Sequence, residues 1–103
     1  MLRLKETETY GRWIDGLKDK AAQIRIVART KRLLTGNAGD YKKLSGGISE
    51  FRIDSGPGYR VYYTQRGSEI ILLLAGGDKR TQGRDIKTAQ RLAHDYKDGD
   101  SND

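Results

Sequence analysis

Cysteine is absent from the 103 residues, and proline, tryptophan, phenylalanine, methionine and histidine occur once each. Without cysteine there is neither a disulfide framework nor a thiolate zinc site, and a reducing cytoplasm is the expected setting. No apolar run approaches the roughly 20 residues of a membrane span, and Met1-Leu2-Arg3-Leu4-Lys5 lacks a secretory pattern. A soluble protein with no membrane partner is expected. Apolar residues make up 35% of the chain, enough for one modest core, so residues 1–97 are read as a single domain.

Positive charge is plentiful. The formal net charge is +6, yet the end of the chain from Asp95 is acidic and nets −3, leaving +9 on the body. Such an excess suits a polyanion or an acidic protein partner. Residues 98–103 begin like a calcium loop but lack its remaining ligands. They are expected to be a disordered acidic tail, and no metal or other cofactor is expected.

Periodicity divides the body in two. Met1–Lys5 can open as a strand. Tyr10, Trp13, Ile14 and Leu17 recur at helical spacing. A second helix is expected from Ala21 to Thr35, stopped by Gly36-Asn37 and Gly39. Its wheel puts Ile24, Val27, Ala28 and Leu34 on the apolar side and Arg25, Arg29 and Arg32 in a basic stripe. Beyond Gly39 the period becomes two, with strands over Ser49–Asp54 and Tyr59–Thr64 and an all-apolar strand over Ile70–Ala75. Ile86, Ala89, Leu92, Ala93 and Tyr96 line a closing helix. The expected class is α+β: an N-terminal strand and helical pair on an antiparallel sheet of about four strands, with a C-terminal helix.

The first hairpin can be placed in register. A five-residue loop, Asp54–Gly58, or equally a bulge at Gly56 or Gly58, pairs Ile53 with Tyr59 and Phe51 with Val61, gathering the apolar residues on one face. Arg52 then opposes Arg60 and Glu50 opposes Tyr62. Facing like charges destabilise a sheet by a few tenths of a kcal/mol, so the two arginines are either neutralised by Glu50 and Asp54 or used to hold an anion. The strand ending Ala75-Gly76-Gly77 should lie beside Tyr59 and Arg60. The glycines should turn the backbone out of the sheet and bring Lys79 and Arg80 to Arg60, with Asp78 or Thr81 capping the last helix. A phosphate site is expected there, with Arg60 and Lys79 outside the core. His94 falls off the apolar face and reads as a surface residue.

In order along the chain, several stretches carry a family resemblance: Trp13-Ile14 with Leu17-Lys18-Asp19, Thr35-Gly36-Asn37 with Gly39-Asp40, and Ser49–Asp54. Gly56–Tyr62, Leu73-Leu74, Gly76–Lys79, Thr81-Gln82 and Arg84-Asp85-Ile86 complete the set. Together they resemble the RelE/ParE toxins of bacterial type II toxin–antitoxin systems, in the HigB-like branch of addiction module killer proteins. The resemblance implies a RelE-like fold and a metal-independent, ribosome-dependent mRNA endonuclease in which the 2′-hydroxyl attacks. It also implies a small antitoxin partner, typically of helix-turn-helix type. Arg60, Arg52 and Lys79 match the family's cationic positions, while Glu50 replaces a RelE strand lysine and Asp85 stands near its C-terminal tyrosine. Glu50 and Tyr62 are candidates to move protons. Arg80, Arg84, Arg25, Arg29 and Arg32 are candidates to bind RNA. Two other readings share the fold: a ParE-like inhibitor of DNA gyrase without RNA cleavage, and an inactive antitoxin-binding relative.

Overall fold

A computed structural model describes residues 2–96, so Met1 and the acidic tail from Lys97 lie outside the described residues. Eight regular elements follow one another: β1 (Arg3–Glu6), α1 (Glu8–Asp15), α2 (Lys20–Leu33), β2 (Tyr41–Lys43), β3 (Ser49–Ile53), β4 (Tyr59–Arg66), β5 (Ile70–Asp78) and α3 (Gln82–Asp95). The class is α+β. The sheet order is β1-β5-β4-β3-β2, and β1 runs parallel to β5, so the sheet has five strands and is mixed rather than antiparallel. The parallel pair follows from the crossover: α1 and α2 pack on one face and the chain returns on the far edge at β2.

Local signals set the helix starts. Thr7 accepts from the Tyr10 amide at 3.1 Å, and Asp19 accepts from the Ala22 amide at 3.0 Å. Thr7 also donates to the Leu74 carbonyl at 2.6 Å, tying the start of α1 to the middle of β5.

Both sheet faces are covered. Phe51, Ile53, Val61, Tyr63, Ile71 and Leu73 meet α1 and α2, while Tyr62, Leu72, Leu74 and Ala75 meet Ala89 and Ala93 of α3. The apolar run of β5 is buried from Ile70 to Ala75, as a central strand requires. The buried side of α2 is not the expected one. Ala22, Ile26, Thr30 and Leu33 face the core, whereas Ile24 is 69% exposed and Val27 stands at the surface. Arg29 fixes this rotation by reaching from α2 to backbone carbonyls of Arg52, Ala38 and Asp40.

The β3–β4 hairpin has the expected register: Ile53 pairs with Tyr59, Phe51 with Val61, Arg52 with Arg60 and Glu50 with Tyr62. Gly56 and Gly58, at φ +54° and +80°, make its turn. The β4–β5 pairing shifts between Tyr62 and Tyr63, with Leu74 as the extra residue, and Arg60 comes to lie opposite Gly77. The glycines do not turn out of the sheet, because β5 continues through both to Asp78. Their role is close approach. A Cβ on Gly76 would overlap the Trp13 ring, and one on Gly77 would overlap the Asp85 carboxylate.

Candidate active site

The end of the sheet where β3, β4 and β5 meet the start of α3 carries the charged cluster. Glu50 is 1% exposed and sits between two arginines. Its Oε1 lies 3.4 Å from Arg60 Nη1 and its Oε2 lies 3.8 Å from Arg52 Nε. The like-charged pair is thus neutralised, and Glu50 does it; Asp54 instead lies with Arg52 in the groove against α2. Gln82, the first residue of α3, donates from Nε2 to Glu50 Oε1 at 3.0 Å. One carboxylate oxygen is therefore held by two donors. Three buried atoms here have no hydrogen-bond partner among the described residues: Glu50 Oε2, Arg60 Nε and the Tyr62 hydroxyl. Unpaired buried polar atoms are uncommon, and three in one cluster mark it as a functional candidate.

Arg60 departs from expectation. It is 8% exposed, part of the interior rather than the rim, because α3 covers the sheet face that alternation makes polar. Tyr62 is 0% exposed. Burial first, then the Glu50 and Asp85 charges, hold its phenol well above the ordinary value against the opposing pull of Arg60 and Arg52. A neutral, enclosed phenol is no proton acceptor at working pH. Tyr62→Phe should accordingly keep parental activity in any assay of function and leave stability neutral or raised within about 1 kcal/mol, since the hydroxyl it removes has no partner. A urea titration reads the stability, and a folded but inactive variant would restore the hydroxyl to the chemistry.

Lys79 and Arg80 follow β5 in a 3₁₀ turn, Lys79–Thr81. Asp78 caps that turn through the Arg80 amide at 2.8 Å and pairs with the Arg80 guanidinium at 3.0 Å. Hydrogen bonding from Arg80 draws the Asp78 carboxyl below its usual range, so the pair is ionised at neutral pH. Lys79 is exposed, makes no ion pair among the described residues, and packs along Gly58 in the β3–β4 turn. Thr81 does not cap α3 through its side chain. Its hydroxyl donates instead to Asp85 Oδ2 at 2.5 Å, locking the first turn of α3 over Gly77. Arg84 lies 3.7 Å from Asp85 with its side chain mostly in solvent.

The expected site residues therefore separate. Glu50, Arg52, Arg60 and Tyr62 form one cluster, with Lys79 and Arg80 at its outer corner and Arg84 on the exposed side of α3. The α2 stripe lies across the sheet edge, but its groove reaches Arg52, so both sets share that residue. His94 is exposed in the last turn of α3, as expected of a surface histidine. Gln82 and Asp85 went unassigned in the sequence, where helical spacing shows only that both lie near the start of a helix. A larger depression of about 760 Å³ opens along β2 and the end of α2, around Tyr41, Ser49 and Gln65, and touches none of the cluster. Among the described residues no group of His, Asp and Glu gathers as a metal ligand set.

Known proteins connect this arrangement to a family. Residues 12–95 match the family model described as phage derived protein Gp49-like (DUF891). An uncharacterized protein of Haemophilus influenzae (strain ATCC 51907 / DSM 11121 / KW20 / Rd) is 47% identical over 94 residues, covering 91% of this chain and 95% of the relative. The matched span runs from the helix that packs Trp13 on Gly76, through the whole Glu50–Arg60–Gln82 cluster, to the end of α3. The chain belongs to the Gp49-like family of phage-derived proteins, an addiction-module toxin family whose members imply an antitoxin partner.

Proposed function

We propose that this chain is the toxin of a type II toxin–antitoxin pair, with a RelE-like fold, and that it cleaves mRNA on the ribosome in the cytoplasm without a metal. The observation that carries this reading is the opposition of Arg52 and Arg60 on one sheet face, with Lys79 packed on Gly58 in the turn that joins their strands. In the proposed reaction the 2′-oxygen of the RNA attacks the adjacent phosphorus and the bond to the 5′-oxygen breaks. The 2′-hydroxyl loses a proton and the departing 5′-oxygen gains one. The phosphorane between these states carries extra negative charge, which fixed guanidinium and ammonium groups stabilise. Arg52 orients the backbone, and Arg60 and Lys79 stabilise the phosphorane. A phosphate that engages the arginines draws them from Glu50 and frees a carboxylate to accept the 2′ proton.

A small helix-turn-helix antitoxin is the expected partner, and the basic body suits an acidic segment of it. The second reading is ParE-like inhibition of DNA gyrase. It is favoured by the resting pairing of Arg60 with Glu50, which is how a purely structural arginine would look.

Purified protein with ribosomes and a defined mRNA, run beside a gyrase supercoiling assay, separates them. The nuclease reading expects mRNA cleavage that Lys79→Ala reduces by about 100-fold. Lys79 is exposed, so stability should change by less than about 1 kcal/mol. His94→Ala should behave as the parent. Lost supercoiling with intact mRNA establishes the gyrase reading instead.

A further inference from the structure

We propose that the groove between α2 and β3, together with the exposed edge strand β2, binds single-stranded RNA, holding phosphates on Arg25 and Arg32 and stacking a base on Tyr41. The inference deepens the nuclease reading in one respect, that the ligand is RNA.

The groove encloses about 390 Å³ and is lined by Arg25, Arg29, Arg32 and Arg52 against Asp40 and Asp54. The four arginines play different parts. Arg29 donates from Nη1 to the Arg52 carbonyl at 3.0 Å and from Nη2 to the Ala38 and Asp40 carbonyls at 3.1 and 3.2 Å. It also lies over the Phe51 ring, 4.9 Å from its centroid. Those bonds fall where β2 ends and the β3 edge would otherwise be bare, so Arg29 builds the groove wall. Arg25 and Arg32 stand about one turn to either side on the same helix, exposed, with no ion pair among the described residues. Arg52 is 41% exposed in its side chain and only loosely paired with Glu50. Its carbonyl meets Arg29 at the groove, while its guanidinium lies on the opposite sheet face with Glu50 and Arg60.

Tyr41 supplies what a plain cation patch lacks. It is 46% exposed, pairs directly with Phe51, and so stands on the sheet face that Arg29 crosses. Asp40 before it lines the groove, and Lys42 and Lys43 after it are exposed. An aromatic face left open between cations is the feature that single-stranded nucleic acids use, because any base can stack on it while the backbone follows the charges. An acidic peptide would be satisfied by the cations alone, and a duplex would have no free base face to offer.

Fluorescence anisotropy with a short labelled single-stranded RNA, in the absence of ribosomes, tests this. Tyr41→Ala should weaken binding about tenfold, and Tyr41→Phe should retain it. An abasic strand of the same length should bind the parent more weakly and be indifferent to Tyr41→Ala. The double variant Arg25→Ala/Arg32→Ala should reduce the slope of log affinity against log salt by about 1.4. All these residues are exposed, and circular dichroism checks that each variant is folded. Parental binding by Tyr41→Ala, an unchanged salt slope, or poly-glutamate bound with the same dependence on Tyr41 overturns the inference. Tyr41-dependent RNA binding by a protein that cuts no mRNA would support the inference and remove the nuclease reading alone.

Discussion

Arg60→Ala should lose both activity and much of its stability. The guanidinium it removes is the partner of Glu50, a carboxylate 1% exposed, and the deletion leaves that charge enclosed with only the Gln82 amide and the distant Arg52 Nε. Breaking a buried ion pair from one side costs about 3–5 kcal/mol, a large share of the 5–15 kcal/mol that holds a typical domain folded. Cleavage should fall by about 100-fold or more beyond what unfolding explains, since one preorganised charge facing the phosphorane is gone. Two further variants separate these effects. Arg60→Lys keeps a cation beside Glu50 and should recover most of the stability but only part of the cleavage, because an ammonium has no fork to span two oxygens. Arg60→Met/Glu50→Leu removes both charges and should regain stability while remaining inactive. Urea denaturation gives the first quantity, and a ribosome cleavage assay at a temperature where all variants are folded gives the second. A folded double variant that cleaves like the parent would contradict the assigned role. Full retention of gyrase inhibition in that variant would make the pair a structural one.

The hairpin that creates this cluster is legible in the sequence because two constraints coincide. Residues 55–58 favour a tight turn, and a five-residue loop, unlike a four-residue one, puts Phe51, Ile53, Tyr59 and Val61 on a common face. The burial of Arg60 is not legible in the same way. Alternation shows that Arg60 shares a face with Arg52 and Tyr62, but a polar-looking face is read as solvated until something covers it, and the cover is α3, more than twenty residues later. The rotation of α2 fails for a different reason. Ala21, Ala22, Ile24, Ile26, Val27 and Ala28 are all apolar, so its periodicity supports more than one face. The choice is made by Arg29 reaching carbonyls on other elements, a contact that no local pattern encodes. Strand β2 has three residues, all exposed, and therefore no alternation to read. The candidate site was legible to the extent that turns and register determine it: Glu50, Arg52 and Arg60 come from the hairpin. Gln82 joins them only through the docking of α3.

The docking of α3 is itself testable at a position with no functional group. Gly77→Ala should be among the most damaging of small substitutions. A Cβ there would stand 2.8 Å from Thr81 Oγ1 and inside the Asp85 carboxylate, the two groups that lock the start of α3 onto β5. Neither is the free end of a long side chain, so helix and strand have to move apart. Overpacking of this kind costs about 1–3 kcal/mol, and more where the backbone has to shift. The displacement would also carry Gln82 off Glu50 and move Lys79 relative to the β3–β4 turn, so cleavage should fall further than stability alone predicts. Gly83→Ala is the control. It lies in the first turn of α3 with nothing within 4 Å of a new Cβ, and it should be neutral or stabilising by up to about 1 kcal/mol. Shortening the obstructing side chain provides the decisive comparison. If the clash with Asp85 is the cause, Gly77→Ala/Asp85→Ala should be less destabilised than the sum of its single variants, a coupling that thermal denaturation of the four proteins measures directly. Strict additivity would mean that Gly77 is needed for some property of the strand itself, and that Asp85 does not set the distance between α3 and the sheet.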